Sequence, residues 1–218
     1  KEATHIMAIQ TIIDNATFIT VDKRKVASQI ITRSGRVKTA EVTNAVPYRF
    51  TVGMHEALLY EDNRDLLEDL DSLDVITEEQ VDIGSTNSAL AYITELKGSG
   101  FTGTVTVTSA SASSIVLDTT LASGSGTVLK KGDFIQLDTN YRYPYQVTAD
   151  VTWNATSVTV PIHRNFIEQS GYTVSGKGIL LGSNVTWNVK MTNKPPYTII
   201  PNDRFVLESD LELVEVIT

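Results

Sequence analysis

Two glycine clusters, Gly98-Ser99-Gly100 and Gly176-Lys177-Gly178, bracket a block of sequence unlike what lies on either side. Inside residues 101–176, Thr, Ser and Val dominate, and short extended runs alternate with turn residues. Segments 104–108, 114–117, 133–137, 143–149 and 157–162 read as strands, parted by Gly124-Ser125-Gly126, Lys131-Gly132-Asp133 and Asn154. Val158, Val160 and Ile162 alternate with polar neighbours, the mark of a half-buried strand. Short strands at this density predict a small OB-like β-barrel or a compact sandwich. With glycine clusters on both sides, the block is expected to be an insertion: 101–176 inside a host domain built from 7–100 and 177–218. Met7 is read as the start and residues 1–6 as a non-native leader, outside the fold argument.

The host segments are also mainly β. Residues 25–32 and 36–42 are rich in Val, Ile and Thr and are joined through Ser34-Gly35, which predicts a hairpin because glycine tolerates the positive φ of tight turns. Neither strand has a clean apolar face, so this hairpin is expected to meet solvent, a lumen or a neighbouring subunit. Lys25, Arg33, Arg36, Lys38 and Glu41 are its candidate intersubunit residues. Further strands are expected at 48–52, 183–191, 197–200, 204–207 and 211–217. One helix is strongly signalled: Leu66, Leu67, Leu70 and Leu73 form one stripe, with Asp62 or Asn63 able to cap it and acids on the other face. A weaker helical stretch runs over 87–96.

Charge bounds the function. With 18 Lys/Arg against 26 Asp/Glu the net charge is −8, a poor balance for gripping nucleic-acid phosphates over a broad surface. It is also unevenly spread. Residues 22–49 hold seven Lys/Arg against Asp22 and Glu41, and residues 56–82 hold eleven Asp/Glu against Arg64. Each patch is read as a solvated face or as a surface for a partner. Cysteine is absent, which removes disulfides and thiol chemistry together. No run approaches the length of a membrane-spanning helix, and the opening KEATHIM has no signal-peptide pattern.

Catalytic constellations are missing. The three histidines, His5, His55 and His163, have no metal-ligand spacing, and neither a phosphate-binding loop nor a G-x-S-x-G elbow occurs. No enzyme, metal or cofactor role is therefore expected. The best candidate outward binding surface is Tyr141, Tyr143 and Tyr145 with Trp153, whose rings could stack on sugars or bases. The competing reading packs these tyrosines in the barrel, with Pro144 marking an edge strand.

The order of parts, and the stretches GDFIQLDTNYRYPYQVTADVTWNATSVTVPIHRNF and GILLGSNVTWNVKMTNKPPYTIIPNDRF, resemble the distal tail (Dit) proteins of long-tailed bacteriophages, in the type whose second domain is an OB fold. The hairpin around Arg33 and Arg36 is similar to the ring-forming hairpins of tail-tube folds. The resemblance implies a split sandwich or barrel host of tail-tube type with one packed helix and an OB-like insert. It further implies a virion protein, a homo-oligomeric ring of six subunits that joins tail tube to baseplate hub, with DNA only in transit through the lumen. The alternatives are a neck or tail-completion ring, or a carbohydrate- or receptor-binding module of the tail.

Overall fold

A computed structural model describes residues 8–23, 27–31, 37–41, 46–54, 57–72, 77–85, 87–138 and 140–217. The chain is mainly β, with two short α-helices among the described residues. A five-stranded antiparallel sheet draws on both ends of the sequence, in the order Phe18–Asp22, Arg49–Gly53, Leu211–Glu215, Trp187–Met191 and Glu79–Val81. Burial alternates along its central strands, as period-two geometry requires. Phe50, Val52, Leu211, Leu213, Trp187, Val189 and Met191 point into a core, while Arg49, Thr51, Glu212 and Lys190 lie on the opposite, more accessible face. Gly53 is fixed by its cross-strand partner Phe18, because a Cβ there would lie 2.0 Å from the ring.

Two helices close this core. Arg64–Ser72 buries Leu66, Leu67 and Leu70, as its leucine stripe predicts. Leu73, the fourth member, lies outside the described residues, and so does His55. Ala8–Asp14 was not expected from the sequence. Its Ile9, Ile12 and Ile13, continued by Ala16, repeat at helical spacing and are all buried. Gln10 fastens this helix to the loop after Glu79–Val81, donating to the Asp82 carbonyl at 3.1 Å and accepting from the Asp82 N–H at 2.8 Å.

The second core belongs mainly to residues 96–181. Thr106–Ser111, Ser114–Asp118 and Ser157–Pro161 form one antiparallel ladder; Tyr145–Gln146, Phe134–Leu137 and Ile179–Leu181 form another. The ladders alone close no barrel. Isolated bridges Thr106↔Gly178 and Val147↔Ile162 connect the two ladders. Ile179–Leu181, expected in the host segment, pairs with Phe134–Leu137, so the second unit's ladder extends past residue 176.

Phe134–Leu137 is the shared wall of the two cores, and all four of its residues are buried. Phe134 packs in the first core, Ile135 and Leu137 in the second. Gln136, buried between them, is satisfied on both sides: its amide donates to the Tyr141 carbonyl at 2.5 Å and its oxygen accepts from the Thr186 N–H at 2.9 Å. Asp133, just before this strand, accepts backbone N–H bonds from Lys97 at 2.9 Å, Gly98 at 3.0 Å and Lys130 at 2.8 Å. Its buried carboxylate thus ties the point where the chain enters the second unit to the strand the two cores share. Asp133→Ala orphans three donors, and we expect a loss of about 2–3 kcal/mol in urea unfolding.

The 87–96 stretch is not a helix. It contains one 3-10 turn, Ala91–Ile93, preceded by local side-chain bonds from the Asn87 N–H to Ser85 Oγ (3.3 Å) and from the Leu90 N–H to Ser88 Oγ (3.1 Å). Serine hydroxyls compete here with the helical ladder for backbone donors. No helix among the described residues is long and apolar enough to cross a membrane.

Candidate functional site

Tyr141, Tyr143 and Tyr145 are not an outward surface. Each is 0% exposed, so the binding reading of these three residues is corrected: they pack inside the second core. Tyr141 and Tyr145 are held there by a closed hydrogen-bond circuit, and Tyr143 packs edge-on against Tyr141 with centroids 5.5 Å apart. The Ile167 N–H donates to Tyr145 Oη (2.8 Å), the Tyr145 and Tyr141 hydroxyls meet at 2.7 Å, and the Tyr141 hydroxyl donates to the Ile167 carbonyl (2.5 Å). Phe166 stacks on both rings, with centroids 5.5 Å away in each case. Burial pushes the Tyr145 pKa up to about 12 and raises that of Tyr141 further, so both stay protonated and available to this circuit. Trp153 is only half-buried; its aromatic partner is Phe101, with centroids at 6.2 Å, not the tyrosine group.

Where the two cores meet, the chain buries an ion pair. Arg164 follows the strand Ser157–Pro161, and Glu215 ends the strand Leu211–Glu215 of the five-stranded sheet. The guanidinium donates to both carboxylate oxygens, at 2.5 and 2.6 Å, and also to the carbonyls of Val46 (2.8 Å) and Pro144 (3.0 Å). It lies over the rings of Tyr48 and Tyr145, 5.1 and 5.4 Å from their centroids. Glu215 accepts the Tyr48 N–H as well, at 2.9 Å. Burial alone lowers the Arg164 pKa, but the bonded Glu215 carboxylate outweighs that and the net direction is up. Sequence reasoning missed this clasp: the partners are 51 residues apart and neither sits in a motif.

His163, next to Arg164, is neutral in the fold. Burial and the Arg164 charge lower its pKa to about 3, and its Nδ1 accepts the Gln146 N–H at 3.0 Å. The unfolded chain binds that proton near the ordinary value of about 6.5. Stability from His163 is therefore complete above that value and is lost as pH falls, at about 1.4 kcal/mol per unit. Denaturant midpoints measured between pH 7 and 4 should fall more steeply for the native chain than for His163→Gln.

Of the hairpin residues, Lys25, Arg33 and Arg36 lie outside the described residues. Lys38 and Glu41 fall on the strand Val37–Glu41, in register with Ile30 and Ala27 of Ala27–Ile31. This two-stranded ladder pairs with no other described strand. Among the described residues no group of three or more His, Cys, Asp or Glu could hold a metal ion. In comparison with known proteins, the chain matches no family model and no curated sequence.

Proposed function

We propose that this chain is a structural subunit that joins copies of itself head to tail into a closed ring, in the manner of a bacteriophage tail-tip or baseplate ring. The observation that carries the reading is the Ala27–Glu41 ladder, which leaves both outer edges without a strand partner among the described residues. Exposed strand edges invite pairing, and a closed ring is one way to use them without forming open fibres. Charge supplies an orientation. The basic stretch 22–49 contains this hairpin, and the acidic stretch 56–82 contains the helix Arg64–Ser72 with Asp65, Glu68 and Asp71 exposed. One copy's hairpin can therefore meet the next copy's acidic segment, a contact between two different patches that closes only by rotation.

The resemblance to distal tail proteins supplies the biological setting: six subunits, a lumen through which DNA passes ungripped, and contacts to tail-tube and hub proteins. The split arrangement, with a five-stranded sheet from both chain ends and a second unit between, supports that setting. Replacing residues 27–41 with a Gly-Ser-Gly link should convert the assembly to monomer in size-exclusion chromatography with light scattering, while the thermal transition persists. Raising salt from about 0.05 to 0.5 M should weaken assembly of the intact chain, since exposed charge contacts are screened within a few ångströms. An assembly that survives hairpin deletion would refute the reading.

A further inference from the structure

At the junction of the two units, a shallow groove of about 580 Å³ opens between the 3-10 turns Ala91–Ile93 and Gly182–Asn184. Two glycines let its walls approach. A Cβ on Gly84 would lie 1.9 Å from Thr94 Oγ1, and Gly182 (φ 59°) would place one 3.2 Å from Leu96. Tyr92 lines the groove and is 62% exposed, a large aromatic ring held in solvent by a tight turn. Glu95, Ser183 and Asn184 add a carboxylate, a hydroxyl and a carboxamide, while Leu96 and Leu181 from the second core complete the lining.

We propose that this groove binds a neutral saccharide, with the apolar face of a pyranose ring on Tyr92 and its hydroxyls bonded by Glu95, Ser183 and Asn184. The chemistry selects that class. Among the described residues no Lys or Arg lines the groove, so a phosphate or carboxylate has no counter-charge there. Lys97, two residues beyond Glu95, is bonded to Glu95 Oε2 at 2.5 Å. Glu95 stays ionised beside it and presents an acceptor, which suits ligands rich in hydroxyl donors. The lining is too polar and open for a lipid, and its volume lies within the range of small-ligand sites. The proposal rests on the groove alone and stands whether or not the chain forms rings.

The test is saturation-transfer NMR on the full chain, which reads weak binding in monomer and assembly alike. The probes are methyl α-D-glucopyranoside, methyl β-D-galactopyranoside, methyl α-L-rhamnopyranoside and N-acetyl-D-glucosamine. At least one should give saturable transfer with a Kd on the order of 1 mM. Tyr92→Ala should weaken it about tenfold or more, the scale of a lost ring-stacking contact, and Tyr92→Phe by less than about threefold. Because Tyr92 is exposed, both variants should melt with the native chain, which circular dichroism checks. Silence from all four probes, or unchanged binding by Tyr92→Ala, overturns the proposal.

Discussion

Arg164→Met should destabilise the protein by about 3–5 kcal/mol, because it leaves the Glu215 carboxylate buried with its counter-charge gone. The side chains of both partners are almost completely inaccessible, at 1% and 0%, so water cannot replace the lost donors without opening the junction. The loss should also show as reduced cooperativity. Arg164 belongs to the second unit and Glu215 to the five-stranded sheet, and the guanidinium also holds the carbonyls of Val46 and Pro144. Urea unfolding followed by tryptophan fluorescence has a probe on each side, Trp187 in the first core and Trp153 against the second. In the native chain the two should report one transition; in Arg164→Met they should separate. The double variant Arg164→Met/Glu215→Leu should recover most of the lost stability, since a well-packed apolar pair often replaces a buried ion pair at little cost. A double variant as unstable as the single one would show that the clasp acts through its backbone carbonyl contacts.

Trp187→Ala should cost a comparable 3–5 kcal/mol, roughly the cost of truncating a fully packed large aromatic side chain. Trp187 is 1% exposed and meets Tyr48, Phe50 and Phe134 edge-on, with centroids at 6.0, 5.7 and 5.4 Å. Phe134 lies on the shared wall, so the cavity would loosen the same junction from the opposite side. Trp187→Phe is the informative contrast. Nε1 of Trp187 is buried with no hydrogen-bond partner among the described residues, so the smaller ring removes a donor along with some packing. Its cost should fall well below that of the alanine variant in the same urea titration.

Much of the architecture was legible because period-two patterning and turn residues act locally. The ladder of Ala27–Ile31 with Val37–Glu41, the pair Tyr197–Ile200 and Arg204–Leu207, and the leucine-striped helix all follow from residues close in sequence. The helix Ala8–Asp14 carried a readable isoleucine spacing, but with seven residues it is too short to stand without the core it packs against. The tyrosine stretch shows the limit of pattern reading. Aromatics interleaved with Arg142 and Pro144 suit an outward strand as well as a core, and the backbone of Ile167, more than twenty positions away, decides between them. The Arg164–Glu215 clasp and the Tyr92 groove are assembled wholly by tertiary contacts. No local rule pairs residue 164 with 215, or brings the turn at 91–93 beside that at 182–184.

Native mass spectrometry of the purified full chain, paired with negative-stain imaging of the same sample, separates a ring from a monomer. A ring should give one discrete multiple of the subunit mass and closed annular particles with a central channel, both lost when residues 27–41 are removed. Monomers alone at every concentration, both for the isolated chain and in the presence of tail-tube and hub proteins, would contradict it.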